Sequence, residues 1–118
     1  MAEIIEEEGY LTGQINFILT YDEKLLNLNK EFLSRNYFTD IITFDYSERG
    51  KLKGDIFISV DRVIENAEKY KVPDYEELLR VFVHGVLHMM GYRDKNTDEK
   101  KKMRTMENYY LGKIIPNV

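Results

Sequence analysis

The sequence predicts an α+β fold, with several helices packed on one small sheet. Three observations carry this expectation: the β-rich segments all lie in the first half, helical periodicity dominates the second half, and a tight hairpin joins two of the strands. Residues 14–21 (QINFILTY) alternate in character and read as the first strand. Asp22 is placed to cap the helix that follows, where Leu25, Leu28 and Phe32 recur at helical spacing and should face the core. Residues 40–46 (DIITFDY) are rich in β-branched and aromatic side chains and form a second strand, with residues 47–50 as its turn. Residues 52–59 (LKGDIFIS) form a third strand, interrupted by Gly54. A glycine inside a strand marks a bulge or a close backbone approach.

Ser59 is placed to cap the next helix, with Val63, Ile64 and Ala67 inward. Beyond Pro73, Asp74 and Glu77 have the spacing of a capping box and open a strongly apolar, central helix that runs to about Met90. Gly91 stands where a left-handed residue ends a helix at little cost. Asn96 and Glu99 suggest a second capping box, and Met103, Met106, Tyr110 and Ile114 mark the buried stripe of a last helix.

With 118 residues the chain has the size of a single domain spanning 1–118. Hydrophobic residues at 43% allow a core and charged residues at 32% a solvated exterior, which argues against disorder. No apolar run approaches the ~20 residues needed to cross a bilayer. The acidic start, with Glu3, Glu6, Glu7 and Glu8, does not resemble a signal peptide. The absence of cysteine excludes disulfides and thiolate metal sites, and a cytoplasmic location fits these features. A net charge of −4 excludes a general nucleic-acid coat, although Lys95, Lys100, Lys101, Lys102 and Arg104 form a local basic cluster.

The chemistry concentrates in residues 83–95, VHGVLHMMGYRDK. His84 and His88 are the two histidines of the chain and lie four residues apart on a helix, so both imidazoles share one face. Such a pair can hold a metal ion. Gly91 can end the helix and let the chain turn, so that Asp94 brings a carboxylate to the same ion. Two histidines, one carboxylate and an open position suit a catalytic site. The competing structural explanation, two core histidines bonded to carbonyls, accounts for the pair but not for the glycine stop and the acid beyond it. Zinc proteases of the H-E-x-x-H type place a glutamate directly after the first histidine; here that position is Gly85, which disfavours a protease and lets substrate or a neighbouring strand approach the helix.

The stretch HGVLHMMGYRDK resembles the H-G-x-L-H-L-x-G-Y-D-H signature of the YbeY family of single-strand-specific endoribonucleases of ribosomal RNA maturation. TDIITF at 39–44 resembles that family's T-D-V-L-S-F, GDIFIS at 54–59 its G-D-I-x-I-S, and LNKEF at 28–32 a weaker block. The resemblance implies a zincin-like α+β fold in which a small mixed β-sheet packs against several helices and a central helix carries the metal histidines. It also implies one divalent metal ion, usually zinc, a cytoplasmic location, and single-stranded ribosomal RNA and ribosomal particles as partners. By position, His84 and His88 match the first two metal histidines, and Asp94 falls where the family has a third; Arg93 replaces the preceding aspartate. A carboxylate can bind zinc at ~2.0–2.2 Å, but it adds a negative charge and favours harder ions. Where the family has an arginine after the LNKEF block this chain has Leu33, and Arg35 is the candidate substitute for contact with RNA.

Asp55 is the candidate catalytic residue, placed to orient a ligand or water near the metal; the alternative is an edge-strand charge that discourages aggregation. Asp40 is expected to bond locally. Lys101 and Arg104 are candidate RNA contacts, against the alternative of a solvated helix face, and Tyr92 should pack under the turn. The expected function is a metal-dependent, single-strand-specific endoribonuclease in ribosomal RNA maturation and ribosome quality control. The alternatives are a hydrolase of peptide or amide bonds and a non-catalytic, metal-stabilised ribosome-assembly factor.

Overall fold

The computed structural model describes residues 2–34 and 39–115. In chain order the elements are α1 (Ala2–Glu7), β1 (Leu11–Thr20), α2 (Asp22–Leu33), β2 (Ile41–Asp45), β3 (Lys51–Ser59), α3 (Val60–Tyr70), α4 (Asp74–Met89) and α5 (Thr97–Ile114). The expected α+β class is what the structure has. The sheet is mixed and ordered β1-β3-β2, with β1 parallel and β2 antiparallel to the central β3.

Alternation along β3 divides the interior in two. Leu52, Gly54, Ile56 and Ile58 are buried on one face, where they join Val83, Val86 and Leu87 of α4 in the main core. The opposite face carries Phe57, which with Ile42 and Phe44 of β2 packs against Leu25 and Leu28 of α2. Two glycines allow the close approaches. A Cβ on Gly54 would stand 2.3 Å from the carbonyl oxygen of Phe44, and a Cβ on Gly85 would stand 2.9 Å from Cδ1 of Ile41 and 3.1 Å from Cδ1 of Ile56. The sheet is therefore what approaches α4 at Gly85, and a glutamate at that position would drive its side chain into apolar packing.

Several local expectations hold. Ser59 caps α3 by accepting from the Arg62 amide, and Asn96 with Glu99 forms a reciprocal capping box on α5. Met103 and Tyr110 are buried, with Met106 and Ile114 packed against them. Others are corrected or extended. The acidic start, to which the sequence assigned no element, is a helix, α1, whose Ile4 and Ile5 are buried. Glu7 accepts from Tyr109 and Lys113 of α5, and Glu8, just beyond α1, accepts from Tyr110 of α5 and from Tyr92. Tyr21, not Asp22, is the N-cap of α2; Asp22 instead accepts from Ser59 Oγ at 2.6 Å and Arg62 Nε at 3.1 Å, tying α2 to α3. Asp74 and Glu77 make no capping box, because Pro73 occupies the cap and shifts Asp74 into the first turn, while Glu77 is buried. Phe32 and Ile64 are 58% and 48% exposed rather than inward. Phe32 lies in the last turn of α2, where its ring and that of Phe44 meet in a T-shaped contact with centroids 5.8 Å apart.

Candidate metal centre

The sequence of α4 brings His84 and His88 one turn apart on the same face, with ring centroids 4.5 Å apart and Nε2 atoms 3.0 Å apart. Asp94 arrives from the segment between α4 and α5. Its Oδ2 lies 3.4 Å from Nε2 of His84 and 3.3 Å from Nε2 of His88. Ligand atoms bound tetrahedrally to zinc at ~2.0–2.2 Å are separated by ~3.3–3.6 Å, so the three atoms stand close to the edges of such a tetrahedron. The donor set therefore fits a divalent ion, and His84, His88 and Asp94 together could hold one.

Two caps fix the segment that delivers Asp94. At the end of α4 the Gly91 amide donates to His88 and the Tyr92 amide to Leu87, both at 3.0 Å, with Gly91 at φ +96°. This is the Schellman pattern, which satisfies two terminal carbonyls and turns the chain sharply. Only a few residues later, Asn96 and Glu99 close the start of α5. Tyr92 packs under the turn and donates to Glu8 at 2.6 Å. Replacement of Gly91 by alanine is expected to cost about 1–2 kcal/mol, because a non-glycine residue is strained at positive φ. A Cβ there meets nothing within 4 Å, so the cost is conformational rather than steric. Urea denaturation should accordingly show Gly91→Asn less damaged than Gly91→Ala, since asparagine tolerates the left-handed region better.

On the far side of the His84 ring, Oε2 of Glu107 lies 2.7 Å from Nδ1. Nδ1 can therefore donate to the carboxylate, which leaves the Nε2 lone pair facing His88 and Asp94. Burial opposes a charge on His84, but the hydrogen bond to Glu107 and the charges of Glu107, Asp40 and Asp94 outweigh it, and the pKa lies above the ordinary histidine value. For Glu107, burial works to raise the pKa, while the bonds and charges of His84 and Arg80 hold it below the usual carboxylate value. The Oε1 atom of Glu107 accepts from Nη1 of Arg80 at 3.1 Å.

Beside His84 opens a cavity of about 160 Å³ lined in part by Asp40, Glu77, Arg80, Arg104 and Glu107. Asp40, expected to bond locally, also lines this cavity. Arg104 also lines it, with Nη1 3.6 Å from Glu107, whereas Lys101 is exposed on α5 outside that lining. Arg35 lies outside the described residues. Asp55 is not brought to the histidines. It pairs across the sheet with Phe44, on the α2 face, and accepts from Asn16 at 2.9 Å, whereas α4 covers the other face. The side-chain alternation of β3 is what separates them.

Sequence reasoning missed Glu107 and Arg80. The signal for each was periodic: Glu107 falls between Met103 and Tyr110 on the buried stripe of α5, and Arg80 stands one turn before His84 on α4.

A family model described as Endoribonuclease YbeY matches residues 1–115. The chain belongs to the YbeY family. A relative named Endoribonuclease YbeY from Cytophaga hutchinsonii is 50% identical over 110 residues, covering 92% of this chain and 77% of that protein. Another of the same name, from Karelsulcia muelleri, is 45% identical over 108 residues, again covering 92% of this chain and 77% of that protein. The solution structure of TM1509 from Thermotoga maritima superposes with a TM-score of 0.64 at 32% identity, over 93% of this chain and 73% of that one.

Proposed function

We propose that this chain is a metal-dependent endoribonuclease that cuts single-stranded ribosomal RNA during ribosome maturation and quality control. The observation that carries the proposal is the convergence of His84, His88 and Asp94 at tetrahedral spacing, in a chain whose relatives are named as endoribonucleases. Two imidazoles and one carboxylate suit zinc, which we take as the native ion. When bound, the ion supplies a Lewis acid at the scissile phosphate and a water made more acidic. The chain's own residues do the rest. His84, His88 and Asp94 hold the ion and leave an open position for substrate. Arg104, which lines the cleft, is positioned to meet a phosphate, Lys101 contributes positive charge from the exposed side of α5, and Arg35 is retained as an RNA contact from its place in the sequence alone. The substrate is ribosomal RNA presented on ribosomal particles in the cytoplasm. Among the described residues no helix is long and apolar enough to cross a membrane.

A peptide hydrolase is disfavoured, because a side chain at position 85 would enter the packing of Ile41 and Ile56 rather than serve as a general base. Leu33 at the position of the family arginine is what speaks for a non-catalytic assembly factor. Incubation of the purified chain with single-stranded ribosomal RNA and with casein, with and without a chelator, separates the three. We expect chelator-sensitive RNA cleavage and intact casein. Proteolysis without RNA cleavage would support the peptide hydrolase. RNA binding without cleavage across zinc, manganese, nickel and magnesium would support the assembly factor. Binding should weaken modestly with salt, with a log–log slope of about −1.4 to −2.8 for ~2–4 phosphate contacts on a single strand.

A further inference from the structure

We infer that Arg80 is a positioning residue of the metal centre, acting through Glu107 to fix the ring of His84. The inference rests on His84, His88 and Asp94 being metal ligands, and it adds a residue that touches neither ion nor substrate. Arg80 and His84 stand one turn apart on α4, and Glu107 reaches both from α5. The two oxygens of that one carboxylate are divided between them: Oε1 takes Nη1 of Arg80 at 3.1 Å and Oε2 takes Nδ1 of His84 at 2.7 Å.

A carboxylate held by a single donor can rotate about its terminal torsion, which is broad. Held at both oxygens, Glu107 has one orientation, and with it the imidazole plane and the direction of Nε2 are set. The pair is deep, with the side chains of Arg80 and Glu107 19% and 7% exposed. An ion pair at that depth is weak evidence for stability, because desolvation cancels much of the attraction. Its geometric effect on His84 is the consequence that remains. Arg104 is a poorer tether, since it is half-exposed and its Nη1 stands 3.6 Å from Oε1. The rival role for Arg80 is direct contact with an RNA phosphate, because it also lines the cleft beside His84.

Zinc affinity of the full chain, measured without RNA by competition with a chromophoric chelator, distinguishes the two. Loss of an outer-shell partner of a ligating histidine typically weakens metal binding ~10–100-fold, and Glu107→Gln should fall in that range. Arg80→Met should weaken zinc binding by about 10-fold, the lower end of the same range, and Arg80→Lys should recover part of the loss. In the Glu107→Gln background, Arg80→Met should add less than about 2-fold, because residues acting through one shared partner are not additive. Circular dichroism and melting curves identify the variants that fold, and Arg80→Lys, which keeps the buried charge, serves if Arg80→Met does not. Multiplicative losses in the double variant would overturn the inference. So would unchanged zinc affinity in Arg80→Met together with weaker RNA binding, which would assign Arg80 to the substrate. Equal zinc uptake by the wild type and His84→Ala would instead remove the ligand assignment itself, and the inference with it.

Discussion

Replacement of His84 by alanine is expected to take the metal content from about one ion per chain to almost none, and to lower RNA cleavage by more than ~100-fold. The magnitude has a floor, because disturbing only the outer partners of a ligating histidine costs ~10–100-fold in affinity or activity, and removing the ligand must cost more. Geometry makes the same argument. The three ligand atoms lie 3.0–3.4 Å from one another, so each is needed to enclose the common centre. Without the His84 imidazole, His88 and Asp94 remain as two ligands, and Glu107 loses its Nδ1 partner in a buried setting. His88→Ala should behave in the same way at the metal while leaving the Glu107 contact to His84 in place. The two variants can therefore differ in stability but not in metal content. Purification without chelators, followed by elemental analysis and titration with zinc, measures the effect. Full occupancy in either variant under matched conditions would exclude the triad.

The candidate metal ligands were legible in the sequence because they depend on local geometry. A four-residue spacing on a helix, a glycine that ends it and an acid three residues on are all short-range features, and the structure joins them without a long-range contact. The strands and helices α2 to α5 were legible for the same reason: their periodicity persists over many residues. What escaped was set by tertiary placement. Asp55 sits one residue from Gly54, yet alternation along β3 sends it to the α2 face, and its distance from α4 depends on which face the helix covers. Glu107 looks like any acid on a charged helix until α5 is docked against α4. The opening residues AEIIEE are too few to show helical period, and α1 is held by contacts to α5 about a hundred positions away. Phe32 and Ile64 fit the helical stripe but stay largely exposed, since periodicity gives a face and not the extent of its partner.

Exchange of Asp94 is expected to act on both the affinity and the choice of metal. Asp94→Ala should weaken zinc binding more than ~100-fold, by the reasoning that sets the floor for His84. Asp94→Asn keeps the shape and a carbonyl oxygen but removes the charge, so it should lie between alanine and the wild type. Asp94→His is the informative exchange. The Schellman turn at Gly91 and the capping box at Asn96 hold the backbone on both sides of position 94, so the new ring starts from the same place as the carboxylate. Imidazole suits zinc, whereas carboxylate oxygen suits harder ions such as manganese. The histidine variant should therefore keep or tighten zinc binding while losing manganese affinity, and the ratio of the two constants should rise. Competition titrations with both ions measure that ratio directly. A rival explanation treats Asp94 as the counter-ion of a protonated His84, which its 3.4 Å contact also permits. Under that rival, Asp94→His would remove the counter-ion and put an imidazole beside the charged ring, and Asp94→Ala would leave metal uptake unchanged. Zinc binding retained in Asp94→His and lost in Asp94→Ala is the outcome that only a ligand at position 94 produces.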